Sequence, residues 1–145
     1  MGNKRKTLLL LLTVIILAAA GTGYYLYNKP GINVQDAGGE KVFAAELYQT
    51  FTKDSSTAKK NYTNKILEVS GTVNQLSENR QHQRIVMLKT NTDGAAVNCT
   101  LEGPPGDIKA GQVVSIKGIC NGIGEGDADL GIMGDVYLVR CYILK

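Results

Sequence analysis

The sequence predicts an all-β fold, a small closed barrel of five short strands, preceded by two short helices and an N-terminal transmembrane helix. Two stretches carry this prediction, Lys65–Val73 and Gly111–Cys120, because each alternates apolar and polar residues for the length of a strand. Each also contains an internal glycine, which is typical of a strongly coiled barrel strand. Five strands with one apolar face each close most economically as a barrel, since closure leaves no exposed edge.

The N-terminal segment predicts a membrane anchor. Basic residues precede an uncharged, mostly apolar run at Thr7–Leu26 that ends among tyrosines. About 20 apolar residues let a helix cross a bilayer, and tyrosine suits the membrane interface. We therefore expect residues 1–27 to form a signal anchor that contacts the membrane through residues 7–27. The alternative is a signal peptide cleaved near Ala20, which would release a secreted domain.

The charges of the anchor differ from those of the rest of the chain. Lys4, Arg5, Lys6 and Lys29 precede every acidic residue, and without them 12 basic residues face 13 acidic ones. By the positive-inside rule the N-terminus stays in the cytoplasm, so the folded part is extracytoplasmic, on the periplasmic face of the inner membrane in a Gram-negative cell. Because polyanion-binding domains carry a clustered excess of Lys and Arg, this balance disfavours nucleic acid as the main partner.

Two further segments lie between the anchor and the first predicted barrel strand. Residues 28–41 are polar and broken by Pro and Gly, which predicts a linker, and residues 42–145 are predicted to form the folded domain. At the start of this domain, helical spacing places Phe43, Leu47 and Phe51 on one stripe. A second short helix is predicted to follow. We expect the stripe to cover one end of the barrel.

Three more strands follow from the same alternation. They are predicted at Arg84–Thr90, Ala95–Glu102 and Val136–Leu144, separated by turn-forming residues. The inward faces of the second and third of these are predicted to carry Val97, Cys99 and Leu101, and Tyr137, Val139, Cys141 and Ile143.

Several short motifs occur together in a fixed order. They are Asp54, Ala58, Tyr62 and Lys65 at helical spacing, Val69–Val73, Val97–Cys99, Gly111–Cys120, and Cys141 within the last strand. This arrangement resembles the tRNA-anti-like OB-fold family of exported bacterial proteins over about Val42–Lys145. The resemblance implies a five-stranded Greek-key barrel with strand order 1-2-3-5-4-1. It implies no particular activity, because OB barrels host many ligands.

An OB barrel usually binds its ligand across the face of its second and third strands. Arg80, His82, Arg84 and Lys89 would give that surface positive charge, so they are the candidate ligand-binding residues. They favour a single-stranded oligonucleotide, but residues 63–135 contain no aromatic side chain on which a base could stack. We therefore expect a binding module for an unidentified protein or envelope ligand. Oligonucleotide binding is the alternative.

The three cysteines are all predicted to face inward. Cys120 and Cys141 would lie on neighbouring strands and could form a disulfide in an oxidising compartment, leaving Cys99 as a buried thiol. Three buried free thiols are the alternative, because free cysteine is a common core residue.

No cofactor, metal or enzymatic activity is expected. The single His82 and three thiols match no structural zinc spacing, and His82 has no evident nucleophile and orienting group. The carboxylates of the Gly/Asp-rich loop also lack the ligand spacing of a calcium-binding EF-hand. They are Glu125, Asp127, Asp129 and Asp135.

Overall fold

The computed structural model describes residues 2–29 and 31–144, and the chain divides between Asn33 and Val34 into two compact units. The first unit contains α1 (Gly2–Tyr27), a helix long and apolar enough to cross a membrane. Pro30 of the predicted linker and Lys145 of the predicted domain lie outside the described residues.

The second unit combines two short helices with a β-sheet. Its elements are β1 (Glu40–Phe43), α2 (Ala44–Lys53), α3 (Ser55–Tyr62), β2 (Ile66–Glu78), β3 (Arg84–Lys89), β4 (Ala96–Leu101), β5 (Val113–Ile123) and β6 (Val136–Leu144).

Strands β2 to β6 close into the predicted barrel. The pairing runs β2-β3-β4-β6-β5 and returns from β5 to β2, with every pair antiparallel except β4 with β6. This is the Greek-key order that the resemblance implies, so the predicted fold is confirmed. The predicted alternation is also found in the core, whose fully buried side chains include Leu67, Val69, Val73, Val97, Cys99, Ile116 and Cys120.

A sixth strand, β1, was not predicted. It pairs in parallel with β2, with Val42 opposite Val69, and two of its residues fall within the predicted linker. Phe43 ends this strand and is 67% exposed, so the prediction that it shares the helical stripe is wrong. Helix α2 begins one residue later and covers the barrel with the side chains of Ala44, Leu47, Tyr48 and Phe51.

Residues 34–37, which we call the strap, cross the outside of the barrel. Val34 is buried, and the Lys117 ammonium on β5 donates hydrogen bonds to the carbonyl oxygens of Ala37 at 2.9 Å and Gln35 at 3.4 Å. The same ammonium lies 3.5 Å from a carboxylate oxygen of Glu68 on β2. A buried lysine therefore fastens the segment that precedes β1 to the barrel wall.

A bulge in β6 changes which residues face inward. Arg140 adopts a φ of 52°, and the strand register shifts beside it in the pairings of β6 with both β4 and β5. Leu138 and Cys141 are both buried although they are three residues apart, because the bulge inserts one extra residue between them. Tyr137 is 40% exposed, so its predicted inward position is wrong.

Helix α3 is capped at its N-terminus by Asp54. The Asp54 carboxylate accepts hydrogen bonds from the Thr57 backbone N–H at 3.0 Å and from the Thr57 hydroxyl at 2.6 Å. These two hydrogen bonds lower the pKa of Asp54, the hydroxyl contributing most.

The Asp54 cap predicts a loss of stability at acidic pH. Since the folded state lowers the pKa of Asp54, its contribution is complete above the unfolded pKa and disappears as the pH falls through the folded value. Asp54→Asn keeps a capping oxygen and removes the titration. We expect similar melting temperatures for the two proteins at neutral pH, and a smaller decrease for the variant on acidification. An identical decrease in both proteins would show that Asp54 does not contribute.

Candidate ligand-binding site

We call the solvent-facing side of β3, β4 and β6 the outer face. An OB barrel usually binds its ligand across its second and third strands, which are β3 and β4 here. One row of residues crosses the outer face, since Met87 lies opposite Asn98 and Asn98 opposite Tyr137. Met87 is half-buried and Asn98 is only 8% exposed, whereas Tyr137 is 40% exposed. A second row places Ile85 opposite Thr100. Most of these side chains are apolar or uncharged, and the Tyr137 ring offers a partly exposed aromatic surface. The face is therefore suited to a ligand with apolar groups and hydrogen-bonding backbone or side chains.

The four sequence-predicted site residues do not form one cluster. Arg84 begins β3 and Lys89 ends it, so they are about 17 Å apart at the rise of an extended strand. Arg80 and His82 lie in the turn between β2 and β3, and both are exposed. Only Lys89 has the outward register of Met87.

A shallow cavity of about 280 Å³ brings His82 and Arg84 together at the start of β3. Its lining also contains two carboxylates, Glu78 and Glu102. His82 Nδ1 lies 2.6 Å from Glu78 Oε1, and Glu102 accepts a hydrogen bond from Arg140 Nε at 3.0 Å. Because carboxylates accompany the cations, this cavity has little excess positive charge for a phosphate.

The Gly/Asp-rich loop between β5 and β6 is an ordered hairpin. The backbones of Asp127 and Ile132 exchange two hydrogen bonds of 2.8 Å, and the Asp127 carboxylate accepts from the N–H groups of Asp129 and Leu130. Gly131 takes a φ of 66° in the turn, which favours glycine. Among the described residues no group of three or more His, Cys, Asp or Glu side chains is placed to hold a metal ion.

The Tyr137 ring joins this hairpin to the outer face. Tyr137 lies opposite Gly122 in the β5–β6 pairing, and a Cβ added to Gly124 would lie 2.8 Å from the ring. The ring therefore covers the base of the hairpin. The alternation of β6 predicts an inward Tyr137, because it does not record the bulge at Arg140 that turns this ring outward.

The cysteines are buried free thiols in this structure. Cys120 lies opposite Leu138, whereas the Cys141 sulfur lies beside Gly118, 2.5 Å from where a Cβ on that residue would stand. Cys120 and Cys141 are thus offset along the two strands, and the disulfide between them stays a prediction. A hydrogen bond with Cys141, together with burial, raises the pKa of the Cys99 thiol well above its ordinary value, so this thiol is a poor nucleophile.

The fold and the outer face define the class of this protein, an OB-fold protein with an N-terminal helix able to span a membrane. A model of the tRNA_anti-like family matches residues 1–130, and the chain belongs to this family. No curated protein matches the sequence.

Solved structures share the barrel. One is the crystal structure of a lipoprotein from Klebsiella pneumoniae subsp. pneumoniae, which is provisionally described as a nucleic acid-binding protein. It is 17% identical in sequence, with a TM-score of 0.53, and the similarity covers 81% of this chain and 100% of that chain. At this identity the similarity shows a shared fold.

Proposed function

We propose that this protein is a membrane-anchored, extracytoplasmic OB-fold module that binds a protein or envelope ligand through its outer face. The observation that carries the proposal is the composition of that face. Met87, Asn98 and Tyr137 form an uncharged row in which the Tyr137 ring is the most exposed side chain, whereas the predicted cations lie at opposite ends of β3. Contacts with protein ligands are typically made by such aromatic and Met side chains.

The proposed extracytoplasmic location is supported by the N-terminal segment. Helix α1 is apolar, and its basic residues all lie at the N-terminal end, the arrangement that retains this end in the cytoplasm. The lipoprotein with the same fold is consistent with an exported protein. In this proposal α1 stays attached as an anchor. A single form of the mature protein that begins after Ala20 would show instead that the segment is a cleaved signal peptide.

We also propose that the protein is a binding module and not an enzyme. The support for this is the position of the one histidine. The His82 side chain is 89% exposed in a surface turn, and its Nδ1 contacts only the Glu78 carboxylate among the contacts of the described residues. General acid-base catalysis works best where water is excluded around the reacting groups, and this turn is open to solvent.

Oligonucleotide binding is the competing function. Arg80 and Arg84 are exposed near the rim of the outer face, and the Klebsiella protein is named for nucleic acid binding. In this alternative, phosphates would contact the arginines and one base would stack on Tyr137.

A titration with fluorescent oligothymidylate distinguishes the two functions. With the full chain in phosphatidylcholine nanodiscs at low salt, we expect no saturable binding. The control is Lys59→Ala with Lys60→Ala, which removes the same charge as Arg80→Ala with Arg84→Ala from an exposed helix. Saturable binding that weakens with rising salt, and that the arginine pair loses while the lysine pair keeps it, would make the protein an oligonucleotide binder.

A further inference from the structure

The tip of the β5–β6 hairpin exposes three large apolar side chains within four residues. Leu130, Ile132 and Met133 are 72%, 55% and 48% exposed. We call these three residues the hairpin tip. Clustered exposed apolar side chains on a soluble surface mark interaction sites more often than single ones do. Two backbone hydrogen bonds between Asp127 and Ile132 close the turn that contains Leu130.

Three carboxylates lie on the part of the hairpin that precedes the tip. Glu125, Asp127 and Asp129 are all exposed beside it, and we call them the acidic flank. From Gly118 to Val139 the chain contains no Lys or Arg at all. The tip therefore combines apolar contact area with a local negative charge that no neighbouring residue of the hairpin offsets.

We propose that the hairpin tip and its acidic flank dock a cationic, apolar segment of a protein partner. Apolar side chains of the segment pack on Leu130, Ile132 and Met133, and its Lys or Arg side chains face the carboxylates. A bilayer is disfavoured as the occupant, because anionic lipid headgroups repel the flank. A second copy of this chain is disfavoured too, because it would bring two acidic flanks together.

The inference rests on the proposed function, since it assigns the chemistry of the partner next to the outer face. The Tyr137 ring lies against Gly124 at the base of the hairpin that carries the tip. In the proposal one partner segment contacts both the tip and the ring.

The test uses a short fluorescent peptide of alternating lysine and leucine and the full chain in phosphatidylcholine nanodiscs. The tip variant replaces Leu130, Ile132 and Met133 by serine, and the flank variant is Glu125→Gln with Asp129→Asn, which spares the Asp127 turn. Val113→Ser is the matched control, because Val113 is an exposed apolar residue elsewhere on the barrel. We expect saturable binding that the tip variant weakens about tenfold or more and the control leaves unchanged. The flank variant should also weaken binding and reduce its dependence on salt.

Four results would overturn the inference. The first is no saturable binding of the lysine-leucine peptide, and the second is an equal loss of affinity in the tip variant and in Val113→Ser. The third is equal affinity for the lysine-leucine peptide and for a glutamate-leucine peptide, and the fourth is protection of the tip from hydrogen exchange by phosphatidylglycerol vesicles and not by the peptide. Failure of the proposed function gives a different signature. In that case oligothymidylate binds and depends on Arg80 and Arg84, while the lysine-leucine peptide still depends on the tip.

Discussion

Replacing Phe51 by alanine is expected to lower the free energy of unfolding by about 3 to 5 kcal/mol, the usual cost of truncating a buried phenylalanine. Phe51 is 1% exposed on the inner side of α2, and its ring centroid lies 6.2 Å from that of Tyr62 on α3. The substitution would leave a cavity under both helices at the end of the barrel. Chemical denaturation of the full chain in nanodiscs, followed by near-ultraviolet circular dichroism of the tyrosines, measures the loss.

Phe43→Ala is the matched control for this prediction. The sequence places both phenylalanines on one helical stripe, whereas the structure exposes Phe43 at the end of β1. An exposed apolar side chain contributes little to stability, so we expect a change of no more than about 0.5 kcal/mol. Equal losses for the two variants would mean that Phe43 is buried and that α2 begins earlier than in this structure.

Replacing Lys117 by methionine is expected to lower the free energy of unfolding by about 1 to 3 kcal/mol, because the half-buried Ala37 carbonyl and the largely buried Glu68 carboxylate lose the ammonium that they contact. The variant keeps the length of the side chain but loses the hydrogen bonds to the carbonyl oxygens of Gln35 and Ala37. It also leaves the largely buried Glu68 carboxylate without its ammonium partner. Hydrogen exchange should show a second effect, faster exchange in the strap.

Two controls identify the cause of the loss at Lys117. Lys41→Met removes an exposed lysine from β1 and should change stability little. Adding Glu68→Gln to Lys117→Met should recover part of the loss, because the amide is cheaper to bury than an unpaired carboxylate. Unchanged stability and unchanged exchange in the strap of Lys117→Met would contradict the fastening role of this lysine.

The barrel could be predicted from the sequence because its inward positions repeat every second residue. Val97, Cys99 and Leu101 are apolar at that spacing and are all buried. Strand β1 could not be predicted in this way. It has only four residues, two of them charged, and its place in the sheet comes from parallel pairing with β2 rather than from its own pattern.

The candidate site was harder to predict than the fold. The positive φ at Arg140 moves Tyr137 to the outer face, and no alternation pattern records such a bulge. The outward position of Met87 could have been predicted more easily than that of Tyr137. Arg84–Lys89 contains four consecutive apolar residues, and a strand must place some of them on its outer side. The cations Arg84 and Lys89 are close in sequence, but an extended strand separates them.

Photocrosslinking in intact cells from position 137 tests the central claim most directly. A photoreactive phenylalanine analogue replaces Tyr137 on the outer face, and in a control protein it replaces Lys59, which is exposed on α3. We predict a light-dependent adduct from position 137 alone that nuclease leaves intact. An adduct from position 137 that nuclease removes, or equal labelling from the two positions, would contradict the account.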